Sequence, residues 1–226
     1  ESVRGFLNAG RKEEIIFTRN ATEAINLVAA TFGRERIQPG DEIVLSIMEH
    51  HSNIVPWHFL RERHGAVIKW APIDEDGNFL IDEFEKLLGP RTKMVAITQM
   101  SNALGTQVPV KDVVKLAHAR GIPVLADTTW GTPYFFRSFE HGVDVSIHAA
   151  TKYIVGHSDV LMGVIVTNEK YWLPVRRTVA DFGFCVSPDD CYLALRGFRT
   201  IGVRMKQQMA NALAVAAQHA HAQRVE

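Results

Sequence analysis

One lysine stands where a primary amine could do chemistry. Lys152 follows the apolar run "VDVSIHAA", and the surrounding stretch "SIHAATKYIVGHSD" contains no other lysine or arginine. Such an amine can form a Schiff base with an aldehyde, and burial would lower its pKa so that it could also act as a base. A lysine after a strand is by itself more often a solvated loop residue, so its neighbours decide between the two interpretations.

Polar side chains also follow the ends of other apolar runs. Thr22 lies in "RNATEA" after "EEIIFT", His50 and His51 lie in "MEHHSN" after "DEIVLSI", Asn102 lies in "SNALG" after "KMVAITQM", and Asp127 closes "IPVLA". In open parallel sheets, ligands bind outside the carboxyl ends of the strands. These positions are therefore the ones at which a binding site is expected.

Together these groups predict a site for pyridoxal 5′-phosphate. The free N–H groups of a helix that opens at Thr22 would hold the phosphate. Asp127 would keep the pyridine nitrogen protonated, which makes the ring an electron sink. Asn102 would hydrogen-bond the ring hydroxyl, His50 would stack on the ring face, and Lys152 would bind the aldehyde as a Schiff base.

The rest of the chain alternates short apolar runs with helical segments. "EEIIFT", "DEIVLSI", "AVIKWA", "KMVAITQ", "IPVLAD", "VDVSIHA" and "LMGVIVTN" are typical of buried strands, and helical patterns separate most of them. This alternation predicts a three-layer α/β/α fold with a mostly parallel sheet. After Lys170 the pattern becomes helical, and Ser187 followed by Pro188 predicts a helix start.

Composition narrows the class of protein. The 226 residues are 46% hydrophobic, which favours a single domain over residues 1–226. Lysine plus arginine and aspartate plus glutamate each count 25, so no charge excess favours nucleic acid or an anionic membrane, and we expect a small-molecule partner. Two cysteines without a ligand pattern, and no apolar stretch that approaches eighteen residues, fit a cytoplasmic protein. The chain begins without methionine, as though cut from something longer.

Two parts of the chain resemble two families of pyridoxal phosphate enzymes. Residues 14–126, with "TEAINLVA", "GDEIVLSIMEHHSNIVPW", "ITQMSNALGTQVPV" and "LAHARGIPVLAD", resemble the cysteine desulfurase and selenocysteine lyase branch of the class V aminotransferases. Residues 127–215, with "DTTWGTPYFFRSFEHGVDVSIHAATKYIVGHSDVLMG" and "SPDDCYLALRGFRT", resemble cystathionine β-lyase and other enzymes of Cys/Met metabolism. Both families share the type I pyridoxal phosphate fold, so the chain resembles a chimera or a truncated large domain joined near residue 127.

The resemblance implies a role for individual residues. The desulfurase part implies the backbone of Ala21, with Thr22, at the phosphate, His50 on the ring and Asn102 near the ring oxygen. The lyase part implies Asp127 at the pyridine nitrogen, Thr151 at the phosphate and Lys152 as the Schiff-base lysine. Two positions depart from the family patterns, because Ala149 stands where the lyases often have serine and Trp130 where the desulfurases have glutamine.

The resemblance also implies an activity and an assembly. Both families act on amino acids, and we expect a C–S lyase for cysteine-like substrates that forms a homodimer. The arginine that binds the substrate carboxylate belongs to a C-terminal small domain, which we expect to be absent from these residues. A scaffold that binds the cofactor without turnover is therefore an alternative.

A third alternative is a metal-dependent hydrolase. It would use His50, His157 and Asp159, and it predicts activity that is lost to a chelator and a protein without yellow colour. Adjacent His50 and His51 would point about 100° apart on a helix, which makes a paired metal role weak. A structural turn is the favoured explanation for "GHSD", and no metal is expected.

Overall fold

The computed structural model describes residues 2–222. Within them the chain forms seven strands and nine α-helices. The strands are β1 Ile15–Thr18, β2 Glu42–Ser46, β3 Val67–Ala71, β4 Thr92–Thr98, β5 Val124–Asp127, β6 Val145–His148 and β7 Gly163–Thr167. The helices are α1 Ser2–Leu7, α2 Ala21–Glu35, α3 Val55–His64, α4 Ile81–Leu87, α5 Val110–His118, α6 Thr132–Phe135, α7 Trp172–Phe182, α8 Pro188–Phe198 and α9 Ile201–Ala222.

All seven strands belong to one sheet with the order β1-β7-β6-β5-β4-β2-β3. The pairs β2–β3, β2–β4, β4–β5 and β5–β6 are parallel, whereas β7 runs antiparallel to both β1 and β6. A parallel pair needs a crossover connection, usually a helix. Residues 149–162 join β6 to β7 with turns only, so β7 returns in the opposite direction. The predicted mostly parallel sheet is confirmed.

Helices cover both faces of this sheet. On one face Phe32 of α2, Trp57 of α3 and Tyr171 beside α7 pack with the strands in one buried cluster. On the other face Phe84 of α4 and Val113 of α5 belong to a second cluster. The predicted three-layer architecture is therefore confirmed, and burial of these side chains is what holds the layers together.

Two helix starts position residues of interest. Asn20 caps α2, because its side-chain oxygen accepts the backbone N–H of Glu23 at 2.8 Å. Ser187 caps α8 by accepting the N–H of Asp189 at 3.2 Å, with Pro188 in the first helical position, as the sequence predicts. None of the helices among the described residues is long and apolar enough to cross a membrane.

Candidate cofactor-binding site

A polar cavity of about 210 Å³ lies at the carboxyl edge of the parallel strands. It brings together every residue that the sequence predicts for cofactor binding. These are Ala21, Thr22, His50, Asn102, Asp127, Thr151 and Lys152. Six further residues line the same cavity, namely Asn20, Ser52, Thr98, Thr129, Trp130 and Ala149. The strand-end rule therefore predicts that these residues share one cavity, and their individual roles stay predictions.

The N-terminus of α2 forms one side of the cavity. Since Asn20 caps the N–H of Glu23, the preceding amides of Ala21 and Thr22 are the ones that have no helical carbonyl to bind. The Cβ of an alanine at Gly163 would lie 2.4 Å from the carbonyl oxygen of Asn20, so only glycine allows β7 to approach this loop so closely. These amides and the helix dipole favour an anion such as a phosphate.

Asp127 is held in place by Thr129. The hydroxyl of Thr129 accepts the N–H of Ala149 at 2.8 Å, so its own proton is donated to Oδ1 of Asp127 at 2.6 Å. The backbone N–H of Thr129 also donates to Oδ1, at 3.0 Å. Burial raises the pKa of Asp127, although the bonds from Thr129, the charge of Lys152 and, when it is protonated, His50 act to lower it.

His50 lines the cavity from the loop after β2. The backbone N–H of Ser52 donates to Nδ1 of His50 at 3.3 Å, and the Ser52 hydroxyl lies 2.7 Å from the same atom. Nδ1 is therefore an acceptor, and the neutral ring carries its proton on Nε2. Burial lowers the pKa of His50, and the nearby charges of His51 and Lys152 lower it further. His50 is thus kept neutral at physiological pH.

The rings of His50 and His51 pack against each other, unlike the side chains of adjacent residues on an α-helix, which point about 100° apart. His50 has extended backbone and caps the 3-10 turn His51–Asn53, so the pair does not lie on one α-helix. The ring centroids of His50 and His51 are 4.1 Å apart at an interplanar angle of 41°. His51 is exposed and does not line the cavity, but it packs against the ring that does.

Lys152 lies in the turns that follow β6. Its side chain is exposed, so the expectation of a buried amine is wrong for this structure. The reason is local, because the apolar strand ends at His148 and Lys152 lies in the connection beyond it. Nζ of Lys152 lies 5.7 Å from the ring centroid of Trp130, a cation–π contact.

Thr151 lines the cavity, but its hydroxyl already has partners. Oγ1 donates to the carbonyl of Met162 at 3.1 Å and accepts the N–H of Met162 at 2.8 Å. This pair of bonds ties the start of the 149–162 connection to its end, next to β7. Donation from Thr151 to a phosphate would therefore require the hydroxyl to leave the Met162 carbonyl.

A second, more open cavity of about 700 Å³ adjoins the first. Trp130, Thr151 and Lys152 line both cavities. Trp130 packs edge-on against Tyr153 with ring centroids 5.8 Å apart. Trp130, which stands where the desulfurase pattern has glutamine, therefore lies beside Lys152 and lines both the polar cavity and the second cavity.

Thr129 and Asn20 are functional candidates that the sequence reasoning missed. Each has a recognisable signal, because a threonine two residues after an aspartate is the spacing of an Asx-turn, and asparagine before a helix is a preferred cap. The metal alternative is not supported by the geometry. Nδ1 of His157 contacts the carbonyl of Val155, and Asp159 forms an ion pair with Arg196. Among residues 3–219, no group of three or more His, Cys, Asp or Glu side chains is placed so that it could hold a metal ion.

The donor set of the polar cavity fits pyridoxal phosphate. Within the described residues both hydrogen bonds that the side chain of Asp127 receives go to Oδ1, which leaves Oδ2 for a protonated ring nitrogen. The amides at the start of α2 suit the phosphate, and the amine of Lys152 suits the aldehyde. One anion site, one carboxylate and one amine on the walls of a single cavity match the three functional parts of this cofactor.

Part of the chain is similar to a known protein family and to proteins named as cysteine desulfurases. Residues 1–150 match the family described as aminotransferase class-V. The chain is 48% identical over 153 residues to a probable cysteine desulfurase 1 from Mycobacterium leprae, a match of 67% of this chain and 25% of that protein. It is 51% identical over 127 residues to a cysteine desulfurase from Synechococcus elongatus, a match of 56% of this chain and 20% of that protein.

A solved structure shows the same fold. The crystal structure of the cysteine desulfurase CsdA (S-sulfonic acid) from Escherichia coli superposes with a TM-score of 0.69 at 31% sequence identity. The match covers 74% of this chain and 42% of that chain. The chain therefore spans less than half of the relatives compared above.

Proposed function

Because the chain belongs to the class V aminotransferase family, whose members use pyridoxal phosphate, we propose that its polar cavity binds this cofactor as a Schiff base on Lys152. The observation that carries the proposal is that all seven residues expected at the cofactor line this one cavity. We further propose that residues 1–226 form a single cofactor-binding large domain.

The residues that line the cavity support one role each in the proposed site. The amides of Ala21 and Thr22 bind the phosphate at the positive end of α2. Oδ2 of Asp127 accepts from the ring nitrogen, because Thr129 fixes Oδ1. The neutral ring of His50 stacks on the cofactor, and Asn102 donates to the ring oxygen. When bound, pyridoxal phosphate supplies an electron sink for charge that develops on the substrate α-carbon.

The proposed reaction is cleavage of a C–S bond in a cysteine-like amino acid. Support comes from the relatives, which are named as cysteine desulfurases. Nζ of Lys152 is the group placed to accept and return the proton of the substrate α-carbon, since it is the amine on the cavity wall. Trp130 lies beside this amine and lines both cavities.

We also propose that the part after residue 127 derives from the cystathionine β-lyase family. The match to the class V family extends to residue 150, so it includes the first residues after 127, and Lys152 lies just beyond it. On this proposal the chain is a chimera that acts as a cystathionine β-lyase or as a cysteine desulfurase. A homodimer in the cytoplasm completes the proposal, and the free thiols of Cys185 and Cys191 suit a reducing compartment.

A scaffold without turnover remains a second candidate. Two observations favour it, namely the exposure of Lys152 and the engagement of the Thr151 hydroxyl with Met162. An exposed amine is less well desolvated for proton transfer, and an engaged hydroxyl offers one phosphate contact fewer. Binding and turnover must therefore be measured separately.

The experiment combines a spectrum with covalent mapping. Purified protein is titrated with pyridoxal phosphate, reduced with borohydride and digested, and the labelled peptide is identified. We expect a yellow protein with the label on Lys152, no label in Lys152→Ala and an unchanged label in Lys170→Ala, which alters an exposed lysine. A label on Lys93, Lys111 or Lys170 contradicts the assignment. Assays with cysteine and with cystathionine then separate desulfurase, lyase and scaffold.

A further inference from the structure

A buried carboxyl group lies behind the polar cavity. Glu49 directly precedes His50, is only 8% exposed and does not line the cavity. Its Oε1 lies 2.5 Å from the hydroxyl of Ser46 at the end of β2 and accepts the backbone N–H of Thr98 at the end of β4, at 2.8 Å. Its Oε2 accepts Nδ2 of Asn53 at 2.8 Å. One side chain thus joins two strand ends to the turn that begins at His50.

The hydrogen-bond directions around Glu49 are fixed by its neighbours. The indole N–H of Trp57 can only donate, and it donates to Oδ1 of Asn53 at 3.0 Å, so the Asn53 amide group must face Glu49 with its NH₂. Ser46 is the partner that can either donate to Glu49 or accept from it. The Ser46 hydroxyl donates to the charged carboxylate and also accepts the backbone N–H of Met48 at 3.2 Å, so a neutral Glu49 has the second lone pair of Ser46 Oγ as the acceptor for its proton.

Asp127 is the second buried carboxyl at this edge of the sheet. Thr98 pairs with Asp127 in the register of β4 and β5, and the N–H of Gln99 donates to the carbonyl of Asp127 at 2.8 Å. The pKa of Glu49 is raised to about 7, because burial and, to a smaller extent, the charge of Asp127 outweigh the hydrogen bonds from Ser46, Asn53 and Thr98. No lysine, arginine or histidine forms an ion pair with Glu49 within the described residues.

We propose that Glu49 is a positioning residue of the proposed cofactor site, which holds the His50 turn against the sheet and releases a proton when a cationic ring neutralises Asp127. The inference rests on the proposed function. The step breaks only the O–H bond of Glu49, and the proton passes to the solvent. Lys152 is the cationic group that also lowers the pKa of Asp127, so it competes with the ring for the same carboxylate, whereas His50 is neutral at this pH.

The proton release is measured by calorimetric titration. Pyridoxal phosphate is titrated into the wild type and Glu49→Gln at about pH 7, the value to which burial raises the pKa of Glu49, in two buffers with different ionisation heats. We expect Glu49→Gln to release fewer protons than the wild type, by a difference of up to one. Glu42→Gln is the matched control, because Glu42 is a buried carboxyl at the start of β2, the strand that precedes Glu49, and it pairs with Lys69 away from the cavity.

A swap variant tests the positioning role. In Glu49→Gln the new NH₂ meets the NH₂ of Asn53, so we expect cofactor binding to weaken by about tenfold, the scale of one buried hydrogen bond left unmade. In the double variant Glu49→Gln with Asn53→Asp, a donor at position 49 again faces an acceptor at position 53. The new carboxylate at position 53 can also still accept the indole N–H of Trp57. We expect this double variant to recover the affinity of the wild type.

Three outcomes overturn the inference. The first is equal proton release from Glu49→Gln and the wild type, and the second is a double variant that binds no better than the single one. If Glu49→Gln does not fold, Ser46→Ala takes its place, since it removes the acceptor for the Glu49 proton and should change the proton count. An unchanged count is the third overturning outcome. Failure of the wild type to bind pyridoxal phosphate instead refutes the proposed function itself.

Discussion

The hydroxyl of Thr129 lies 2.6 Å from Oδ1 of Asp127, and because it accepts the N–H of Ala149 it must donate to that carboxylate. A hydrogen bond to the charged form of an acid stabilises that form and lowers its pKa. Thr129 therefore opposes the effect of burial on Asp127 and also fixes the orientation of the carboxylate. This relationship makes Thr129 a positioning residue for the proposed ring contact.

Thr129→Val should weaken cofactor binding while Thr129→Ser should not. Valine keeps the shape of the side chain but leaves Asp127 and the N–H of Ala149 without the hydroxyl. We expect a loss of about 1.5 to 3 kcal/mol in binding free energy, the range for hydrogen bonds to charged groups. Titration with pyridoxal phosphate, followed by absorbance, measures it. Equal affinity of the two variants would show that the hydroxyl is not needed.

His50→Ala should weaken cofactor binding more than His51→Ala. His50 lines the cavity, and the loss of a stacked ring should cost about 1 to 2 kcal/mol, the scale of an aromatic contact. His51 only supports the ring of His50 from 4.1 Å, so its removal should cost a smaller but measurable amount. The same titration compares both variants. A larger loss in His51→Ala would place the stacking residue one position further along the chain.

His148 should make the stability of the fold sensitive to acid. It is 2% exposed, and burial lowers its pKa to about 4. Because the unfolded histidine has a pKa near 6.5, the unfolded state binds more protons between these values, so stability is full above about pH 6.5 and falls as the pH drops toward 4. The loss from this residue is on the order of 3 kcal/mol over that window.

The measurement compares urea unfolding of the wild type and His148→Gln at several pH values. The raised pKa of Glu49 acts in the opposite direction between about pH 4.5 and 7, so only the difference between two variants isolates His148. We expect the wild type to lose more stability than His148→Gln on acidification. His219→Gln, which changes an exposed histidine of α9, is the control and should follow the wild type.

The sequence predicts the positions of the site better than its supporting contacts. Asp127 and His50 follow apolar strands, so the rule that ligands bind at the carboxyl ends of parallel strands is sufficient to place them together. Glu49 escapes this reasoning, because a carboxylate that joins two strand ends is recognised only when strand order and register are known. The sequence pattern also could not predict that Lys152 is exposed, because an apolar strand does not determine the conformation of the connection that follows it.

The turn that carries Lys152 depends on a close contact between Gly156 and Arg204. Nη2 of Arg204 donates to the carbonyls of Tyr153 at 2.8 Å and Gly197 at 2.9 Å, which links α9 to this turn. A Cβ on Gly156 would lie 2.2 Å from Cζ of Arg204, and Gly156 has a φ of +74°. Gly156→Ala should therefore both strain the backbone and displace the guanidinium.

Gly183→Ala separates these two effects. Gly183 also has a positive φ, of +67°, but nothing lies within 4 Å of its Cβ position. We expect Gly183→Ala to cost about 1 kcal/mol of unfolding free energy from backbone strain. Gly156→Ala should cost about 1 to 3 kcal/mol more, because the displaced guanidinium of Arg204 loses its hydrogen bonds to the carbonyls of Tyr153 and Gly197. Only Gly156→Ala should slow the labelling of Lys152 by pyridoxal phosphate and borohydride, because only it shifts the turn that carries the amine. Equal labelling rates in the two variants would show that Arg204 stabilises the fold without positioning Lys152.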